Sequence, residues 1–110
     1  MNHAVSEVFA ALADTTRRAL YEQLLASEHG ATATQLADGA RISRQAIVKH
    51  LQILARCGLA RVERDGRDVR YLATPEGTRD ASMWLRESSA AWDRRIAALE
   101  EKIRSSRPQP

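Results

Sequence analysis

Between Ser43 and Gly58 the chain spells out a helix together with both of its ends, and every neighbouring segment has to accommodate that rod. Ser43 suits the N-cap, because its hydroxyl can accept from the unpaired N–H groups of a first turn, and Gly58 can adopt the left-handed conformation that closes a helix. Ile47, Leu51 and Leu54 recur at i, i+4 and i+7, the spacing of one buried stripe. Arg44, Gln45, Val48 and Lys49 crowd the N-terminal half of the opposite surface. One side is built to pack, the other to present cations and amides.

The segments before it read as three shorter helices. Val5, Val8, Phe9 and Leu12 follow helical spacing, and Asp14 restarts the chain as an N-cap for a second amphipathic helix that runs through Leu20, Tyr21, Leu24 and Leu25 to about Ser27. Glu28-His29-Gly30 stops it. A third helix is expected from Thr34 to Ala40, capped by Thr34, with Leu36 and Ala37 inward. Only Gly39-Ala40-Arg41-Ile42 then separates it from the Ser43 cap, and two helices joined by so short a glycine-containing turn form a helix-turn-helix.

After Gly58 the period changes from helical to alternating, in Leu59–Arg64 and Arg67–Ala73, with Asp65-Gly66 between them as a hairpin signal. A turn centred on Asp65 and Gly66 sets Arg64 opposite Arg67, Val62 opposite Val69 and Ala60 opposite Tyr71. On the other face it sets Glu63 opposite Asp68 and Arg61 opposite Arg70, with the opposite charges on the diagonals. The ribbon would be apolar at its base and doubly arginine at its tip, which makes it a wing.

Thr74-Pro75-Glu76 then opens a last helix with an N-cap, a proline at the first helical position and an acid in the first turn. Leu85, Trp92 and Leu99 repeat every seven residues, and Ser89, Ile96 and Ile103 fill the companion heptad position. A helix over residues 75–104 would be roughly 45 Å long, more than the rest of a small domain can cover, so this seam is expected to pair with a second copy. The expected architecture is one domain over residues 1–104, mainly α with a small β-hairpin, a homodimeric winged helix-turn-helix. Its dimerisation helix spans about 75–104, and residues 105–110 are expected to form a disordered tail.

Charge is placed unevenly. The net charge of +3 is mild, but residues 41–70 hold eight Lys or Arg against three acids, so that segment carries +5 and the remainder −2. A local basic face of this kind fits a polyanion, and the capped helix with cations and amides in its first turn fits the major groove of double-stranded DNA. There Arg44 can grip guanine and Gln45 adenine through paired hydrogen bonds, and Val48 can touch a thymine methyl. Lys49 is suited to phosphate, and Arg64, Arg67 and Arg70 to phosphates or an adjacent minor groove.

The remaining chemistry is sparse. Cys57 is the only cysteine, which excludes a disulfide framework, and its spacing from Ile53 and Leu54 reads as a small core residue. His3, His29 and His50 lie in unrelated segments, no phosphate-binding glycine loop or spaced metal-ligand set appears, and no apolar run approaches ~20 residues. The chain is therefore expected to be a cytoplasmic protein that is not an enzyme, with no cofactor, no metal and no membrane partner.

Several segments together resemble the ArsR-type winged-helix transcriptional repressors: Phe9–Arg18, Gln35-Leu36-Ala37, Ile42–Leu54, Cys57-Gly58-Leu59 and the wing with Gly66. The resemblance covers about Val5 to Thr74. It implies a homodimer joined largely through the first and last helices, and a fourth helix lying in the major groove. The DNA-binding set is then Gln35, Ser43, Arg44, Gln45, Val48, Lys49, Arg64, Arg67 and Arg70. The dimer-interface set is Val5, Val8, Leu85, Trp92, Ile96, Leu99 and Ile103. Metal-sensing members carry paired cysteines in the third helix, or Asp/His and His/Glu pairs on the last. Here the third helix has no cysteine and the last no histidine, so metal sensing does not carry over. The expected function is a repressor that blocks a promoter by occupying an inverted-repeat operator as a homodimer, with its effector unknown. A protein-binding winged-helix module and an effector- or metal-gated sensor stand as the alternatives.

Overall fold

A computed structural model describes residues 1–106. Helix α1 (His3–Ala13) starts at Asn2, whose Oδ1 accepts from Val5 N, and α2 (Thr15–Ala26) starts at Asp14, whose Oδ1 accepts from Arg17 N. A two-residue strand, β1 (Ala31–Thr32), leads into α3 (Ala33–Ala37), and α4 (Arg44–Arg56) follows. The hairpin strands β2 (Ala60–Asp65) and β3 (Asp68–Ala73) form an antiparallel sheet in the order β1-β3-β2, and α5 (Glu76–Ser106) ends the described chain. No described helix is long and apolar enough to cross a membrane.

The core is where the helical stripes meet. Ile47, Leu51 and Leu54 of α4 have no exposed surface, and they join Val8, Leu20, Leu24, Leu36, Leu59 and Tyr71 in one cluster. Val5 and Val8, expected at a dimer interface, belong to this cluster, with 4% and 1% of their surface exposed. Within one chain Val5 and Val8 therefore pack into their own domain, while Phe9 and Leu12 of the same stripe stay partly exposed. Phe9, on the same helix, meets the ring of Trp84 edge-on at 5.8 Å and fastens α1 to α5.

Three local expectations are corrected. Thr32, not Thr34, caps α3: its Oγ1 accepts from Gln35 N at 3.1 Å while Gln35 Oε1 accepts from Thr32 N at 2.9 Å, a reciprocal capping box that leaves α3 ending at Ala37 rather than Ala40. The hairpin loop is Gly66-Arg67, not Asp65-Gly66, with Gly66 at φ +61° in the first loop position, where two-residue hairpins favour glycine. The register moves by one pair, so Glu63 faces Arg70, Arg61 faces Leu72, Val62 faces Tyr71 and Arg64 faces Val69. Glu63 thereby exchanges a like-charged partner for an opposite one and also pairs with Arg61. The helical assignment of α5 extends through Ser105 and Ser106, against the expected tail; residues 107–110 lie outside the described residues.

The junction between α4 and α5 is tight. Gly58, at φ +79°, closes α4 while Leu59 N donates back to Leu54 O at 3.0 Å. The Gly58 carbonyl then accepts from Gly77 N at 3.0 Å and from the Thr74 hydroxyl at 2.8 Å. The Thr74 hydroxyl expected to cap α5 instead donates to the end of α4, and the helix begins at Glu76, just after Pro75.

Candidate nucleic-acid interface

The expected DNA-contacting residues lie on three elements, and the fold gathers most of them. Ser43 Oγ accepts from Ala46 N at 3.1 Å, so the first turn of α4 is capped and its start is fixed. Arg44, Gln45 and Lys49 are exposed, while Val48 is half-buried. At about 100° per residue Gln52 falls on the same outward side as Gln45, one register of seven further on, and it too is exposed. Reading only the first turns of the helix overlooks it.

A concavity of about 550 Å³ opens between α3, the start of α4 and the hairpin. Gln35, Arg44 and Val48 line it from the helices, and Arg64, Arg67 and Arg70 line it from the hairpin, with Asp68 the one acid in its lining. Six of the nine expected residues thus share one surface with four guanidinium groups. Ser43 is occupied as a cap, and Gln45 and Lys49 lie outside this lining, further round α4. Gln35 is partly committed: its Oε1 is held by the capping box, so its amide NH2 is the part left to donate. The arrangement suits a phosphate backbone running between helix and wing, with base edges reachable from the tip of α4.

Two flanking groups have perturbed titration. The Asp14 carboxyl is held below its usual range, chiefly by the Arg17 N–H it accepts, with the charges of Arg17 and His50 adding to the effect. Burial pushes the Cys57 thiol up, and its Sγ donates to Leu54 O at 3.5 Å, as a small half-buried core residue does. His50 is half-buried, with Nδ1 enclosed and unpartnered among the described residues. Among those residues no group of three His, Cys, Asp or Glu is placed to hold a metal.

The last helix carries the other expected surface. Leu85, Trp92, Ile96, Leu99 and Ile103 are each about half exposed, from 49% to 59%. At about 100° per residue they fall, with the buried Ala81, within roughly 60° of arc. One apolar stripe therefore begins under the domain at Ala81 and continues past the domain's edge.

Comparison with known proteins adds relatives to this geometry. A family model described as a helix-turn-helix domain matches residues 12–63. The structure is similar to an ArsR-like transcriptional regulator from Rhodococcus sp. RHA1, at 38% identity over 89% of this chain and 91% of that one, with a TM-score of 0.77. It is also similar to a crystal structure of an ArsR family transcriptional regulator, at 28% identity over 83% and 98% of the two chains (TM-score 0.75). A third relative is the cadmium metal-sensor CMTR from Mycobacterium tuberculosis, at 34% identity over 62% of this chain and 68% of that one (TM-score 0.51). No curated protein matches.

Proposed function

This chain belongs to the ArsR-like family of DNA-binding transcriptional regulators, and from that premise we propose that it is a repressor that binds an inverted-repeat operator as a homodimer. In this reading α4 enters the major groove by its capped end. Arg44 and Gln45 read bases, Val48 meets a thymine methyl, Lys49 and Gln35 hold phosphates, and Arg64, Arg67 and Arg70 of the wing grip the backbone alongside. The observation that carries it is the concavity where the first turn of α4 and three wing arginines converge on one surface.

The homodimer is supported by the apolar stripe of α5, which is covered at Ala81 and bare from Leu85 to Ile103. Surface area argues the same way. The chain exposes 8191 Å², whereas a compact monomer of 12.3 kDa exposes about 6,100 Å². The excess of about 2,000 Å² per chain is more than the roughly 800 Å² that each partner gives to a standard interface, and two such surfaces together fall in the range of larger, obligate ones. The dimer reading draws its support from α5, while Val5 and Val8 pack into the core of their own domain.

Sedimentation equilibrium of the full chain is expected to return twice the chain mass. Duplexes enriched from a random library are expected to carry two inverted half-sites roughly 34–36 Å apart, and a promoter bearing them should be silenced when the chain is expressed. A monomer mass with enrichment of single half-sites refutes the dimer, and a promoter that rises on expression refutes repression. Affinity that is indifferent to salt would instead favour a protein-binding module, because neutralising phosphates releases counterions.

A further inference from the structure

Because Thr32 caps α3, the hydroxyl of Thr34 is released from the capping role its position suggests. It is used elsewhere: Arg44 Nε donates to Thr34 Oγ1 at 3.1 Å, a bond spanning ten residues that ties α3 to the first residue of α4. Both residues line the concavity between helix and wing. Each end of the bond is carried on backbone that is itself fixed, Thr34 by the Thr32–Gln35 capping box and Arg44 by the Ser43 cap. Among the described residues Arg64, Arg67 and Arg70 make no such side-chain hydrogen bond, so the concavity holds one oriented guanidinium and three free ones.

That difference has a chemical meaning. A guanidinium has five N–H donors in one plane, one on Nε and four on the two terminal nitrogens. With Nε occupied, the pair left to meet a ligand is Nη1 and Nη2, presented end-on. Guanine displays two acceptors, O6 and N7, toward the major groove. A free arginine must surrender its rotamer freedom on binding and serves well as a phosphate charge, whereas one already held in place has less to lose.

We infer that Thr34 is a specificity-determining positioning residue, which holds Arg44 so that the arginine grips a guanine end-on through Nη1 and Nη2. The inference rests on the DNA-reading role proposed above for α4. The arginines of the concavity then divide by role, with Arg44 reading bases and the wing arginines anchoring the backbone.

The test is base-by-base enrichment from a random duplex library by the full chain, repeated for Thr34→Ala, Thr34→Ser, Arg44→Ala and the double variant, with thermal melting of each as a folding check. The parent chain is expected to demand guanine at one position of each half-site, and Arg44→Ala to erase that demand. Thr34→Ala should weaken it about three- to tenfold, the scale of one net hydrogen bond, with other positions and the salt slope unchanged. Thr34→Ser should restore it, and Thr34→Ala should add nothing on an Arg44→Ala background. If Thr34→Ala keeps the full guanine preference that Arg44→Ala loses, or if Thr34→Ser fails to rescue, the positioning role is overturned while DNA reading stands. If the parent enriches no sequence, or Arg44→Ala changes no preference, base reading itself fails and the positioning role falls with it.

Discussion

Gly77 in the first turn of α5 offers a sharp test of how the two long helices are joined, because two general expectations for Gly77→Ala have opposite signs. Alanine is the better helix former by about 1 kcal/mol, so a helix interior should gain from the change. Here, however, the added Cβ would sit 2.8 Å from Cys57 O and 3.1 Å from both Gly58 C and O. All three are backbone atoms at the end of α4, which cannot swing aside as a side-chain tip can. The helices would have to part by about half an ångström to regain ordinary contact, pulling on the bond from Gly77 N to Gly58 O. Overpacking of a fixed contact costs about 1–3 kcal/mol, and the backbone character of this one puts it in the upper part of that range. Set against the propensity gain, the net loss should be about 1–2 kcal/mol. Thermal melting at matched protein concentration should fall by about 4–8 °C per kcal/mol. A variant that melts at or above the parent would show that propensity prevails and that α5 is not seated on the Gly58 carbonyl.

Trp92→Asp puts a charge in the middle of the bare α5 stripe and should leave a folded monomer by light scattering; an unchanged dimer would remove the stripe from the interface. Lys49→Ala should weaken binding to cognate and random duplexes alike and reduce the salt slope by about one, whereas a loss confined to the cognate site would make Lys49 a base reader. Asp14 has a folded pKa below its unfolded value, so its contribution to stability is present above about pH 4 and is lost as pH falls through the folded pKa. Asp14→Asn keeps the capping oxygen and should flatten that acid limb of the stability profile, while a limb of unchanged steepness would assign it to other carboxyls.

What could be read from residues alone was the chemistry that acts over three or four positions. Ser43, Asp14 and Gly58 end their helices where their side chains or backbone freedom say they should. The third helix was harder because two threonines stand two residues apart. The deciding signal was present, since only Thr32 has a glutamine three residues on to complete a capping box. The hairpin register was ambiguous in the same way: either dipeptide around Gly66 makes a two-residue loop, and the attraction of Glu63 for Arg70 favours the loop observed. Strand β1 has no local signature, because two residues become a strand only through the neighbour they pair with. The stripes on α1 and α5 were both visible as stripes. Which would be covered within the domain depended on three-dimensional placement, and Val5 and Val8 turned inward while Trp92 did not.

The bare half of α5 also bears on dosage. Where a second copy supplies its cover, the species able to span a two-fold site forms by mass action. While monomers predominate, its concentration follows the square of the chain's concentration. Halving the amount of chain would then leave about a quarter of the binding species, so under the proposed dimer a single stretch of uncovered leucine, isoleucine and tryptophan would turn a graded supply of protein into a steeper threshold at the promoter.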